Sequence, residues 1–224
     1  MIEKFKYYFV KKVYADHNDT QKVKQVLSKL LCKLPADAKG LNIGAGRTKI
    51  DSRIQNLELE KGEGIDLVGS VEDIPAKDSS FDFVITQEVL EHVESPFKSV
   101  KEIHRVLKPG GLAYIQLPFI IGFHPCPNDY WRFTHEGMRA LADSSGLDVI
   151  ELDMSVGPAV GFYRILVEFF AILISFNSYS VYMLAKLSAS LFFYPIKWMD
   201  PLLSQSPQSK RIAGGYYMLC KKEI

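Results

Sequence analysis

The chain has 224 residues, 47% of them apolar and 24% charged. That is enough for one domain with an appendage, and too ordinary for a disordered or fibrous class. Twenty-seven Lys and Arg against 26 Asp and Glu leave a net charge of +1, so the chain as a whole is no polycation and no nucleic-acid partner is expected. The balance is uneven along the sequence. Residues 1–39 carry nine lysines against four acids and residues 197–224 carry five basic residues against two acids, whereas residues 40–196 carry thirteen against twenty. Residues 155–196 hold only Arg164, Glu168 and Lys186, where average usage gives about ten charges. Cys32, Cys126 and Cys220 are far apart and form no CxxC pair, which predicts a reduced, cytoplasmic chain without a disulfide framework or zinc site. The opening residues show no apolar run before a small-residue cleavage site, so no secretory signal is expected.

Taken in order, residues 19–34 show helical spacing, with Val23, Val26, Leu27, Leu30, Leu31 and Leu34 on one stripe and Pro35 ending it. Short strands are predicted over 40–44, 56–60 and 65–69, and a clear one over 81–86. A helix follows over 95–107, with Ser95 as N-cap and Pro96 at its first position. Pro109-Gly-Gly111 punctuates, and a strand follows over 112–117. Thr134 caps a helix that Gly146 stops, and strands over 147–152 and 215–220 complete the set. Alternating strands and helices predict an α/β sheet covered on both faces.

The string Leu41-Asn-Ile-Gly-Ala-Gly46 is a strand running into Gly-x-Gly. Glycines at the carboxyl end of a central strand let the backbone approach a ligand closely, although a plain turn carries the same string. Glu58, twelve residues on at the end of the next apolar strand, strengthens the reading, because a carboxylate there can accept both ribose hydroxyls of a nucleoside.

With these residues the chain resembles the class I S-adenosylmethionine-dependent methyltransferases of the type-11 kind. The resemblance is carried by Leu41-Asn-Ile-Gly-Ala-Gly46, Glu58, Val71-Glu-Asp-Ile-Pro75, Ser80-Phe-Asp-Phe-Val-Ile85, Gln87-Glu-Val-Leu-Glu-His-Val93 and Glu102-Ile-His-Arg-Val-Leu-Lys-Pro-Gly-Gly111. The loop His124-Pro-Cys-Pro-Asn-Asp-Tyr-Trp-Arg-Phe-Thr134 resembles a subgroup. The resemblance implies a Rossmann-like seven-stranded sheet of order 3-2-1-4-5-7-6 with the last strand antiparallel, and S-adenosylmethionine over the carboxyl ends of the first strands. It implies that Gly44, Ala45 and Gly46 wrap the methionine and ribose part, that Glu58 holds the ribose, and that Gln87 and Leu90 face the methyl end. Where the family usually has an adenine-contacting Asp, this chain has Ser70, followed by Val71; Glu72 and Asp73 are the carboxylates that can take over. The connections on either side of the second strand are too short for standard crossovers, so the first linking helix is expected to be a single turn or irregular.

Methyl transfer asks little of side chains beyond placing an acceptor lone pair and removing a proton. The candidates lie in the loop after the fifth strand. His124 is the candidate general base, Asp129 its orienting partner or an amine ligand, Arg132 a grip for an anionic group, and Tyr130 and Trp131 stacking surfaces. His92 follows the fourth strand closely enough to line the site. No set of His, Cys, Asp and Glu has metal-ligand spacing, so no metal is expected.

Residues 155–208 intervene before the last strand. Two apolar helices are predicted over 161–176 and 179–194, with Arg164 and Glu168 paired at i,i+4 and Lys186 alone. Each is shorter than the roughly 20 residues that span a bilayer. Three roles stand open for this hairpin: an interfacial membrane contact aided by the basic aromatic stretch 4–12, a homodimer surface or lid, and packing on its own domain. The expected whole is a single methyltransferase domain over 1–224, with a basic helical extension over 1–39 and the apolar insertion over 155–208. It would act on an oxygen or nitrogen of a small-molecule, lipid-linked or saccharide acceptor; a non-catalytic scaffold of the same fold is the alternative.

Overall fold

A computed structural model describes residues 19–46 and 50–223. The basic aromatic stretch 4–12 lies outside the described residues. The elements are α1 (Gln21–Lys33), β1 (Gly40–Ile43), β2 (Ile54–Glu58), β3 (Leu67–Val68), β4 (Phe81–Gln87), α2 (Pro96–Val106), β5 (Leu107–Pro118), α3 (His135–Asp143), β6 (Leu147–Val156), α4 (Pro158–Ile174), α5 (Tyr179–Phe192), α6 (Asp200–Leu203) and β7 (Gly215–Lys222), with 3-10 turns at Leu90–His92, Tyr194–Met199 and Pro207–Ile212. The strands form one sheet of order β3-β2-β1-β4-β5-β7-β6, as the resemblance implies. β1 runs parallel to both β2 and β4, and the last strands are antiparallel. The chain divides into two compact units: one of residues 25–118, 124–153 and 216–223, the other of residues 19–24, 119–123 and 154–215.

In the first unit β1, β4 and β5 lie at the centre, and their apolar runs are buried on both faces, as parallel strands require. Leu41, Phe83, Val84, Ile85 and Ile115 are wholly buried. Gly40 is fixed by close approach: a Cβ there would lie 2.2 Å from the Phe83 ring. α1 buries Val23, Val26, Leu27 and Leu30 as its stripe predicts. The carbonyls at its C-terminus are taken up by Arg53, whose guanidinium donates to Leu31 O, Leu34 O and Pro35 O and is itself held by Asp51. β2 begins two residues earlier than the apolar pattern suggests, since Ile54 and Asn56 are buried and paired against β1. β3 shrinks to a two-residue parallel edge. Asn56 anchors the short link to it, donating from its backbone N to Asp66 Oδ2 and from Nδ2 to Gly64 O.

Two further departures have local causes. Pro109-Gly-Gly111 does not separate helix from strand. β5 pairs with β4 from Leu107 onward, and a register shift near Phe81 and Phe83 absorbs the extra residues, with Gly110 at φ +78°. Ser95 makes no side-chain cap of α2; the Glu72 carboxylate instead accepts from the Ser95 backbone N at 3.0 Å.

In the second unit α4 and α5 pack as an antiparallel pair, turning through Phe176 and Asn177 at positive φ. The N-terminus of α4 is capped from 41 residues away by Asp200, whose Oδ1 accepts from Ala159 N at 2.7 Å. A Cβ on Gly157 would collide with that carboxylate. The expected Arg164–Glu168 pair is replaced. Glu168 pairs with Lys186 at 2.5 Å across the hairpin and accepts from the Tyr182 hydroxyl, so Lys186 is not alone. The two helices bring these groups together, while Arg164 turns inward and is buried. The polar stretch 204–209, read as loop, is partly 3-10. No helix among the described residues is long and apolar enough to cross a membrane.

Candidate active site

At the carboxyl ends of β1 and β2 a cavity of about 190 Å³ is lined by Ile43, Gly44, Glu58, Ser70, Val71 and His92 among others. Its floor is set by backbone conformation. Gly44 and Gly46 adopt φ +67° and +56°, which side-chain-bearing residues rarely hold. A Cβ on Gly44 would also sit 2.3 Å from the Val89 side chain. Between them Ala45 is buried. Glu58 reaches across the loop, and its Oε1 accepts from Gly46 N at 2.5 Å. One carboxylate thus fixes the glycine turn and faces the cavity, the position a ribose diol needs.

Ser70 and Val71 line the same wall. The Ser70 hydroxyl accepts from Glu72 N at 3.1 Å. Neither Glu72 nor Asp73 reaches the cavity: Glu72 is committed to the start of α2, and Asp73 is exposed. Of Ser70, Glu72 and Asp73, Ser70 therefore lines the cavity, and Glu72, expected to contact cofactor, serves the helix instead. Gln87 donates to Gln116 Oε1 at 3.3 Å, within a network that includes Tyr114 and Glu88, and Leu90 is wholly buried. Neither lines the cavity, whereas Glu88 and Val89 between them do. Cys126 and Pro127, which the sequence did not suggest, close one side.

The expected substrate loop folds into a polar cluster. The Arg132 guanidinium grips both oxygens of Asp129, at 2.6 and 2.7 Å. Asp129 also accepts from His124 backbone N at 2.8 Å and lies 3.5 Å from its Nδ1. Burial alone would raise the Asp129 carboxyl, but the Arg132 hydrogen bonds outweigh it and hold it at about 2. Asp129 thus holds the His124 backbone, while Arg132 is engaged with Asp129 and with the His124 ring and is not poised as a grip for an anionic group. Tyr130 and Trp131 are exposed, with Trp131 Nε1 donating to Val93 O at 3.0 Å. His92 and His124 meet edge to face, ring centroids 5.2 Å apart.

Glu91 was missed as a site residue, being only one letter of a motif. Its side chain is fully buried. Burial pushes its carboxyl up to about 7, partly offset by the nearby His124. The signal in the sequence was a charged residue beside the apolar Leu90, four residues beyond the end of a buried strand.

A family model described as "Methyltransferase domain" matches residues 27–115. A ubiquinone biosynthesis O-methyltransferase of Parvibaculum lavamentivorans is 34% identical over 80 residues, 33% of this chain and 32% of that protein. The chain spans about a third of the length of the first curated relatives it matches. Among solved structures, phosphoethanolamine N-methyltransferase 2 of Haemonchus contortus, in complex with phosphomonomethylethanolamine and S-adenosylhomocysteine, superposes with TM-score 0.57 at 14% identity, covering 97% of this chain and 57% of that one. The 4+2 cyclase SpnF superposes with TM-score 0.56 at 14% identity over 91% of this chain and 82% of its own. At such identities the superpositions show the fold alone.

Proposed function

We propose that this chain, a class I S-adenosylmethionine-dependent methyltransferase by its family match over residues 27–115 and by its sheet, transfers a methyl group to an oxygen of an apolar or lipid-linked small molecule. The observation that carries the cofactor reading is the Gly44–Gly46 turn tied to Glu58 at the mouth of the 190 Å³ cavity. These residues fit S-adenosylmethionine. The glycine turn leaves room for close backbone approach, Glu58 offers acceptors for two ribose hydroxyls, and Ser70 offers a hydroxyl near the base. When bound, that cofactor supplies the electrophilic methyl and its leaving group. The chain's own part is to hold the acceptor in line and take its proton. His124, whose backbone N donates to Asp129, is the residue proposed for the second task.

Two observations support an apolar acceptor. One is the relative named for ubiquinone biosynthesis. The other is the second unit, where Phe169, Ile172, Leu173, Phe176, Tyr179, Phe192 and Trp198 are all exposed. Such a surface suits a lipid–water interface, with Lys210 and Arg211 nearby in sequence for anionic headgroups. The apolar groove of about 530 Å³ between α4 and α5 carries no titratable side chain, so the chemistry belongs to the smaller cavity.

Calorimetric titration with S-adenosylmethionine and S-adenosylhomocysteine tests the cofactor reading; micromolar binding of both is expected, and no binding of either would leave a scaffold of the same fold. Labelled methyl incorporation into a hydroxylated lipid extract tests the acceptor. Sedimentation with anionic and neutral vesicles tests the membrane contact, and failure to bind either removes it.

A further inference from the structure

We propose that Glu91, His92 and His124 form a divalent transition-metal site beside the cofactor cavity. The Glu91 side chain is fully buried, and neither of its carboxylate oxygens has a hydrogen-bond partner among the described residues. A carboxylate left so costs several kcal/mol unless a cation meets it. Two imidazoles turn toward one of its oxygens: His92 Nε2 lies 3.5 Å from Glu91 Oε1, and His124 Nε2 lies 3.8 Å from it. Both distances are too long for good hydrogen bonds. They are close to the roughly 3.4 Å that separates two ligands each about 2.0–2.1 Å from a tetrahedral zinc-sized ion. One ligand atom from each of the three residues falls within 4.8 Å of the others.

The outer contacts suit the same role. His92 Nδ1 lies 2.6 Å from the Asn128 carbonyl, which can only accept, so the proton sits on Nδ1 and Nε2 presents its lone pair. His124 Nδ1 lies 3.5 Å from Asp129 Oδ2 and 3.2 Å from Arg132 Nη2. Arg132 Nη2 can only donate, so His124 Nδ1 accepts from it and the His124 proton lies on Nε2, facing Glu91; an ion bound there takes the place of that proton. Metal-bound imidazoles commonly donate their second N–H to a carbonyl or carboxylate, as His92 does to Asn128 O. Two imidazoles and one carboxylate suit zinc or cobalt and leave a fourth position open. In the sequence these ligands were hidden because His124 lies 32 residues beyond His92.

His92 also lines the cofactor cavity, so the open position adjoins the methyl donor's site. Resting on the methyltransferase reading, the site takes an acceptor hydroxyl as fourth ligand. With the ion bound, His124 is a ligand and not the base, and the ion eases loss of the hydroxyl proton to solvent. The oxygen lone pair then forms the new C–O bond as the methyl C–S bond breaks, and the sulfonium leaves as a neutral thioether.

The test uses the full chain, stripped with a chelator and titrated with Co²⁺. About one ion per chain is expected, with the visible absorption of a four-coordinate site and no thiolate charge-transfer band. Glu91→Gln and His124→Ala should each weaken Co²⁺ binding about 100-fold, with circular dichroism unchanged. Substoichiometric uptake by the stripped chain, wild-type affinity in a folded Glu91→Gln, or a thiolate band that puts the ion on a cysteine overturns the proposal. If Glu91→Gln fails to fold, His124→Ala decides. Titration of the metal-free chain with S-adenosylhomocysteine keeps the two readings apart: binding there, without Co²⁺ uptake, removes the metal and leaves the methyltransferase; Co²⁺ uptake without it does the reverse.

Discussion

In the sheet unit Leu41, Phe83, Val84, Ile85 and Ile115 are wholly buried, whereas in the hairpin unit Phe169, Ile172, Leu173, Phe176 and Phe192 are exposed, Phe176 by 87% and Phe192 by 78%. Both stretches carry apolar runs, and the difference in exposure is architectural. A central parallel strand has two faces and both are covered, so a continuous apolar run disappears inside. A helix in a two-helix hairpin can cover only one stripe, so a helix that is apolar all round leaves the remainder outside. Both units bury polar groups. The sheet unit buries Asn42, Asn56, Glu91 and Gln116 near its site. The hairpin unit buries Arg164, Ser190 and Lys197, and its Lys186–Glu168 pair sits partly exposed between the helices. The difference lies in the apolar side chains, which the central strands hide and the hairpin leaves largely on its surface.

The comparison can be broken most forcefully at the hairpin's own core. Tyr163 is fully buried, donates to Ser190 O at 2.9 Å and lies under the Lys197 ammonium. Tyr163→Ala should cost about 3–5 kcal/mol in the hairpin unit while S-adenosylhomocysteine affinity stays within about threefold. Chemical denaturation followed by hydrogen exchange reads the two units separately, and equal loss in both would deny their independence.

The converse change is Glu58→Ala. Removing the carboxylate proposed to accept two ribose hydroxyls should weaken S-adenosylhomocysteine about 100-fold, leaving vesicle binding and the hairpin's exchange protection as they were. Calorimetry beside vesicle sedimentation shows whether the two functions separate.

A smaller effect is expected at Lys186→Met, which removes the partner of Glu168 on a partly exposed face. About 1 kcal/mol of hairpin stability should go, seen as a lower urea midpoint with unchanged slope. No change would mean that the Tyr182 hydroxyl alone satisfies Glu168.

The smallest effect sharpens the sheet side. Hydrogen bonds from Arg53 hold the Asp51 carboxyl at about 2, below its ordinary value of 3.8. A carboxyl depressed by folding contributes stability above its unfolded pKa, and that contribution is lost as pH falls from about 4 toward 2. The stability gap between the wild-type chain and Asp51→Asn should therefore narrow over that range and stay constant from pH 5 to 8, as measured by denaturation across pH.

What the sequence determined by itself was local. Periodicity located α1, β4, α2 and the hairpin helices to within a few residues, because apolar spacing reports the face an element must bury. The Gly44 and Gly46 positions were legible because only glycine holds positive φ at ease, and Glu58 because it ends an apolar strand. Tertiary structure alone decided the partners. It sent Glu72 to the start of α2 and not to the cavity, engaged Arg132 with Asp129, and gave Glu168 to Lys186 instead of Arg164. It also buried Glu91 facing His92 and His124. A side chain's propensity depends on its own backbone and near neighbours, so one strand or helix of sequence can reveal it. The partner of a charge depends on which distant segments the sheet order and loops bring within a few ångströms, and that is fixed only when the whole chain has folded.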